Sequence, residues 1–157
     1  MDATGLARSL LGPVPAHQML GLEVLRAADG VGEVAVHVPL RFRNVIGSLH
    51  SSGLITLVDA AGLAAIISAC PSESAFEGVV PLGTAASMRF LAPARGRLVA
   101  TCALSEEARG LLAAVYDGEE SRARFTTAAC VTGEAGTVLC EGSFDWSVRR
   151  VAIPAAL

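Results

Sequence analysis

The chain has 157 residues, of which 52% are hydrophobic, 17% are charged and 4% are aromatic, and its formal net charge is −3. This length fits one domain with a sizeable apolar core, and we predict a single domain over residues 1–157 with its core at about 18–150. No basic block is large enough for a nucleic-acid surface, which argues against nucleic acid as a partner. The densest basic segments, 41–43 and 122–124, are interpreted as solvated surface.

The cysteines and the N-terminal segment indicate the compartment. The four cysteines, Cys70, Cys102, Cys130 and Cys140, form no CxxC motif, and no His and Cys residues have zinc-ligand spacing. We therefore predict reduced, mostly buried thiols and no metal site. The first 15 residues lack the basic and long apolar regions of a signal peptide, so we predict a cytoplasmic protein.

The first third of the chain predicts a helix, a pair of strands and a second helix. Residues 3–11 form the first helix, ended by the segment GPVP. Segments 20–30 and 31–40 read as two strands around a turn, because apolar and polar residues alternate along the second. A long apolar helix then begins near His50, where serines favour a helix N-terminus, and ends before Pro71.

The remaining chain returns to strands. We predict strands at 84–94, 96–105, 121–132 and 136–151, with a short amphipathic helix at 106–120. A long helix that is apolar on most sides needs a sheet curled around it, and a second subunit can cover its remaining side. The pattern therefore predicts an α+β hotdog fold, in which a curved antiparallel sheet wraps one long apolar helix.

Residues 53–70 approach the length of a membrane span, which needs about 18–20 apolar residues. The segment has a central aspartate, two glycines and no aromatic or basic flanks. We interpret it as a buried helix and predict no membrane association.

Asp59 is the residue in this helix that most needs an explanation, because no other charge lies between His50 and Glu73. A lone carboxylate in an apolar segment costs several kcal/mol unless something compensates it. Either the carboxylate is satisfied by Thr56 or by backbone N–H groups, or it has a function.

The segment from Asn44 to Asp59, NVIGSLHSSGLITLVD, resembles the signature N-x-x-G-x-x-H-G-G-x-x-x-x-L-x-D of PaaI-like hotdog acyl-CoA thioesterases. Asn44, Gly47, His50 and Asp59 fall at the positions of the signature, and the similarity extends from about Leu20 to Arg149. The chain departs from the signature after the histidine, where Ser51 and Ser52 replace two glycines.

The spacing between His50 and Asp59 places constraints on any shared site. Nine residues of helix separate them by about 13.5 Å and half a turn, so the two side chains point to opposite sides. One site that uses both needs two chains, which a twofold dimer supplies. The resemblance implies the same homodimer, with two equivalent sites at its interface, and leaves open whether two dimers pair into a tetramer.

The resemblance also implies roles for these residues in the hydrolysis of an acyl-CoA or acyl-carrier thioester to a free acid and a thiol. Asp59 is then a general base or nucleophile, and the backbone N–H of Ser51 stabilises the oxyanion. Asn44 orients the water or the thioester, and His50 donates to the carbonyl or fixes the loop. No cofactor is implied, since the CoA thioester is the substrate.

Four further residues complete the predicted site as substrate contacts: Gly47, Ser52, Thr84 and Ser87. The last two are included because a hydroxyl on the strand after the helix often assists in the family.

Two other functions remain open on the sequence. The replacement of glycine by Ser51 adds a side chain at the carbonyl slot, which fits a hotdog protein that binds acyl groups without hydrolysing them. A hotdog hydratase or dehydratase also pairs a histidine with an acid, although usually in a different sequence context.

Overall fold

The computed structural model describes residues 1–152. The helices are α1 (Ala3–Leu11), α2 (Pro15–Leu20), α3 (Ser51–Ser68), α4 (Glu73–Phe76) and α5 (Glu106–Tyr116), with a 3-10 turn at Leu40–Phe42. The strands are β1 (Glu23–Ala28), β2 (Val31–His37), β3 (Val79–Phe90), β4 (Arg97–Ala103), β5 (Arg122–Thr132) and β6 (Val138–Arg150).

The six strands form one antiparallel sheet in the order β1-β2-β4-β5-β6-β3. The long helix α3 packs on the inner face of this sheet and contacts every strand. This arrangement confirms the predicted α+β hotdog, with its curved sheet around one long apolar helix.

Glycines allow the sheet and the helix to approach closely. Gly32 on β2 faces the backbone of α3, where a Cβ would collide with the carbonyl oxygen of Ala61. On the helix side, a Cβ at Gly62 would lie 2.9 Å from the ring of Trp146. The indole N–H of Trp146 donates to the hydroxyl of Thr127 at 2.8 Å, so the one polar group of this buried side chain has a hydrogen-bond partner.

The short helices α2 and α4 are not predicted from the sequence, and the limits of β3 differ from the prediction. Helix α2 has Pro15 in its first turn and ends at Gly21, whose φ of 69° is left-handed, but its six residues are too few for a periodic pattern. Strand β3 begins at Val79 rather than at residue 84, because its first residues pair with the end of β6. It ends at Phe90, after which the chain turns away.

Helix α3 is long and apolar enough to cross a membrane, but 67% of it is buried inside the fold. Such burial is that of a core helix, which agrees with the interpretation made from the sequence. The cytoplasmic location stays a prediction.

The two edges of the sheet differ in how they are covered. At β1, Thr4 of α1 exchanges hydrogen bonds with the backbone of Ala27, at 3.2 Å and 3.0 Å, and Arg8 donates to the carbonyl of Val24 at 3.0 Å. At the other edge, β3 pairs only with β6 within residues 1–152, and most of its 12 residues are exposed. A long uncovered edge strand is a template for pairing with another chain.

Candidate active site at the start of the long helix

His50 caps the N-terminus of α3. Its Nδ1 accepts a hydrogen bond from the backbone N–H of Ser52 at 3.1 Å and lies 2.8 Å from the hydroxyl of the same serine. Because a backbone N–H donates to Nδ1, this nitrogen carries a lone pair, and neutral His50 has its proton on Nε2. The exposed ring therefore offers an N–H donor beside the helix start.

The backbone N–H of Ser51 is free at the same place. The N–H groups of Gly53 and Leu54 donate to the carbonyl of His50, at 2.9 Å and 3.2 Å, and that of Ser52 is taken by the imidazole. The Ser51 N–H has no acceptor within residues 1–152. A free N–H at a helix N-terminus, at the positive end of the helix dipole, favours a bound negative charge.

Asn44 organises the loop that leads into the helix. Its side-chain oxygen accepts from the backbone N–H groups of Ile46 and Ser48, at 3.1 Å and 3.0 Å, which leaves its amide NH₂ free to donate. Gly47 has a φ of 75°, a conformation that favours glycine. Arg95 donates to the carbonyl of Ile46 at 2.7 Å and braces the loop from outside.

An open groove of about 510 Å³ lies at this helix start. Its walls are partly apolar, and the exposed side chains of Ile46, Phe90 and Leu91 belong to them. The lining residues are Asn44, Ile46, Ser48, Leu49, His50, Ser51, Leu54, Phe90, Leu91, Ala92 and Pro93. The groove thus joins the predicted residues Asn44, His50 and Ser51, while Asp59 is not among its lining.

Asp59 lies half-buried in the middle of α3, and its carboxyl, whose oxygens keep some contact with solvent, forms no side-chain hydrogen bond within the described residues. Burial raises the pKa of this carboxyl above its usual value of 3.8, and the positive charge of His17 acts in the opposite direction. Thr56, the partner considered from the sequence, donates instead to the carbonyl of Ser52 at 2.9 Å. The carboxyl is therefore held in an apolar setting without a structural hydrogen bond.

His17 is the charged group that acts on Asp59. It is buried in α2, and its ring donates from Nδ1 to the carbonyl of Leu11 at 2.8 Å. No local pattern indicates this relationship, because the two residues belong to different helices separated by a pair of strands.

The hydroxyls predicted as substrate contacts lie at three different places. Ser52 is beside His50 at the helix start. Thr84 lies at a bulge in β3 and donates to the carbonyl of Asp145 at 3.1 Å. Ser87 is on the outer face of the sheet, away from α3, because Met88 next to it points toward the helix. The structure does not bring Ser87 and Asp59 together in one chain.

No group of three or more His, Cys, Asp or Glu side chains that could hold a metal is found in residues 1–152. The four cysteines are free thiols, and burial raises the pKa of Cys102 to about 11. A thiol with such a pKa stays protonated near neutral pH and is a poor nucleophile.

Comparison with known proteins identifies the family. Residues 14–148 match the family described as Domain of unknown function (DUF4442), and the chain belongs to this family. Comparison with curated protein sequences found no match. The resemblance to PaaI-like hotdog proteins is confirmed by the solved structures that share this fold.

Three solved structures illustrate that similarity. A Pseudomonas aeruginosa protein of unknown function, described as a probable thioesterase, is 25% identical, with a TM-score of 0.76 over 94% of this chain and 96% of its own. A thioesterase family protein from Silicibacter pomeroyi is 16% identical, with a TM-score of 0.74 over 95% and 99% of the two chains. The PaaI protein of the E. coli phenylacetic acid degradation operon is also 16% identical, with a TM-score of 0.70 over 96% and 94%.

Proposed function

We propose that this protein hydrolyses the thioester of an acyl-CoA to a free acid and a thiol, at a site shared by two copies of the chain. The observation that carries the proposal is the half-buried carboxyl of Asp59, whose pKa is raised by burial and which forms no side-chain hydrogen bond in the described residues. A titratable group perturbed in this way indicates a functional site. The similarity to a probable thioesterase from P. aeruginosa supports the reaction class.

The uncovered edge of β3 supports the shared site. Antiparallel pairing of two β3 strands about a twofold axis sets the Phe90 end of one strand beside the Val79 end of the other. Phe90 belongs to the groove at the helix start. The middle of α3 runs along the centre of β3, since Val58 lies beside the paired residues Met88 and Gly142, while Gly62 and Gly83 both face Trp146. Such a dimer therefore directs the groove of one copy toward the Asp59 region of its partner.

The chemistry follows from these positions. Attack on a thioester carbonyl places negative charge on its oxygen, and the Ser51 N–H with the Nε2–H of His50 supplies two donors for it. The carboxylate of Asp59 from the other copy removes a proton from the attacking water, or attacks the carbonyl itself. The free amide NH₂ of Asn44 orients the water or the thioester, and the apolar groove takes part of the acyl chain.

The test is thiol release from short, medium, long and aromatic acyl-CoAs by the wild type and by Asp59→Asn. Loss of the base or nucleophile is expected to lower kcat by about 10²-fold to 10⁴-fold. Asp117→Asn is the matched control, because Asp117 is an exposed aspartate at the end of α5 and should leave kcat unchanged. Full activity in Asp59→Asn would contradict the proposal.

Acyl binding without hydrolysis is the second candidate, favoured by Ser51 and Ser52 in place of two glycines. It predicts that acyl-CoAs raise the melting temperature of the wild type without releasing thiol. Ser51→Gly then separates the candidates. Turnover that appears only in this variant supports a binding protein derived from a hydrolase, while equal turnover in both supports the thioesterase.

A further inference from the structure

Three arginines gather on the outer face of the sheet, away from α3. Arg122 and Arg124 are two residues apart on β5, and Arg149 on β6 lies directly opposite Arg122. All three side chains are exposed, while their neighbours Ala123 and Val148 are buried on the core side. Strand geometry puts the three positions roughly 5–7 Å apart.

No counter-charge pairs with this cluster within the part of the chain that the structure describes. Like charges directly opposite on paired strands destabilise a sheet. The ion pairs found within residues 1–152 lie elsewhere and join Arg89 to Glu141 and Arg97 to Glu23, each at 3.7 Å. No carboxylate oxygen in that part of the chain lies within 4.0 Å of the three guanidinium groups.

The acidic residues that lie near the three arginines in the sequence do not form ion pairs with them. Asp145, the next acid along the outer face of β6, accepts a hydrogen bond from the hydroxyl of Thr126 at 2.6 Å. Glu119 and Glu120 are exposed in the turn before β5 and form no ion pair with the cluster. The three arginines therefore form no direct ion pair within residues 1–152.

Ser147 adds a buried donor between the arginines. It lies opposite Arg124 on the outer face, yet it is only 1% exposed. Its hydroxyl accepts a hydrogen bond from Nε of Arg149 at 3.2 Å, and the hydroxyl proton has no acceptor within the described residues. A hydroxyl with a free proton, in contact with the guanidinium of Arg149 and opposite Arg124 in the strand pair, is complementary to an oxyanion.

We propose that Arg122, Arg124 and Arg149, with the hydroxyl of Ser147, form a phosphate-binding site on the outer face of the sheet. Guanidinium groups bind phosphate through paired N–H donors. A bound anion would also reduce the electrostatic repulsion among the three arginines. The phosphate belongs either to the nucleotide part of a CoA thioester or to free phosphate. Only the first source rests on the proposed function.

The position of the cluster favours the nucleotide as the source. Val80 on β3 pairs directly with Arg149, so the site lies one strand from the uncovered edge. It lies at the Val79 end of that edge, toward which a second copy would bring its groove. A substrate with a long phosphorylated arm then contacts both places.

The test is a calorimetric titration of the whole protein with adenosine 3′,5′-bisphosphate and, separately, with inorganic phosphate. The wild type is expected to bind, with an affinity that falls as salt rises. Arg122→Gln and Arg149→Gln are each expected to weaken binding about tenfold, and Ser147→Ala to weaken it without a change of charge. Arg26→Gln is the matched control, because Arg26 is exposed on β1 and outside the cluster.

The outcomes distinguish the CoA nucleotide from free phosphate as the ligand, and they distinguish this proposal from the thioesterase proposal. Tighter binding of the nucleotide than of phosphate supports the site and assigns it to CoA, and equal binding supports the site and assigns it to free phosphate. No binding of either probe to the wild type, or unchanged binding in the Arg122→Gln/Arg149→Gln double variant, overturns the proposal. The titration measures binding without turnover, so a wild type that binds the nucleotide but releases no thiol contradicts the thioesterase proposal and leaves this one supported.

Discussion

The positive charge of His17 lowers the pKa of the Asp59 carboxyl, in opposition to the burial that raises it. The His17 ring is fixed by its hydrogen bond to the carbonyl of Leu11 at the end of α1. The two short N-terminal helices therefore do more than cover the core, because they place His17 near the candidate catalytic acid.

Replacement of His17 by asparagine tests this electrostatic link. Asparagine can keep a donor to the carbonyl of Leu11 but removes the charge, so burial then acts alone on the Asp59 carboxyl. The acidic limb of the kcat/KM profile should move to higher pH, because the carboxylate form of Asp59 is lost at a higher pH. His37→Asn, at an exposed position, is the control, and an acidic limb that stays in place would argue against the link.

Asp59 is also expected to reduce the stability of the fold near neutral pH. Its pKa is raised in the folded state above the usual 3.8, so the ionised carboxyl favours the unfolded chain. Asp59→Asn should therefore raise the free energy of unfolding at pH 7, and the gain should shrink as pH falls through the folded pKa and vanish below about 3.8. Urea denaturation at several pH values measures this, and a variant less stable at pH 7 contradicts it.

The cap and the donor functions of His50 can be separated. His50→Ala removes the acceptor for the Ser52 N–H and should cost about 1 kcal/mol of unfolding free energy. His50→Asn restores a good capping group but has no donor at the position of Nε2. We expect thermal unfolding to recover in the asparagine variant while kcat stays low. Recovery of both would assign His50 a capping role alone.

Arg150 joins two helix ends to the last strand. Its guanidinium donates to the carbonyls of Ala75, Glu77, Val115 and Tyr116 at 2.9, 3.1, 3.0 and 2.9 Å. Arg150→Met removes the donor to the carbonyls of Ala75, Glu77 and Tyr116, while the carbonyl of Val115 keeps the backbone N–H of Gly118 at 3.2 Å. The change should lower the unfolding free energy by roughly 2–3 kcal/mol. Arg26→Met is the control in urea denaturation, and equal effects of the two changes would refute this role.

Two glycine substitutions test the close approach of sheet and helix. Gly32→Ala places a methyl group against the backbone of α3 and should cost about 1–3 kcal/mol or more. Gly110→Ala lies on α5 with nothing within 4 Å of the new methyl group, so it should stabilise the fold by about 0.5–1 kcal/mol. Calorimetric melting temperatures should therefore shift in opposite directions.

Local patterns in the sequence determined much of the fold and part of the site. The first helix was predicted at residues 3–11 and is found at Ala3–Leu11, and α3 begins at Ser51, next to its predicted capping residues. These elements depend on capping and on hydrophobic periodicity, which neighbouring residues encode. The grouping of Asn44, His50 and Ser51 follows for the same reason, because all three lie within one loop and helix start.

Contacts between distant segments required the tertiary structure. The approach of His17 to Asp59 depends on how α2 packs against α3. The outward direction of Ser87 and the cluster around Arg149 depend on which strands pair and in which register. A bulge between Gly83 and Ala85 shifts that register within β3, and the alternation of residues along a strand cannot show it. The sequence by itself thus determined the elements and the helix start, while only packing decided which side chains meet, because strand register is set by long-range contacts.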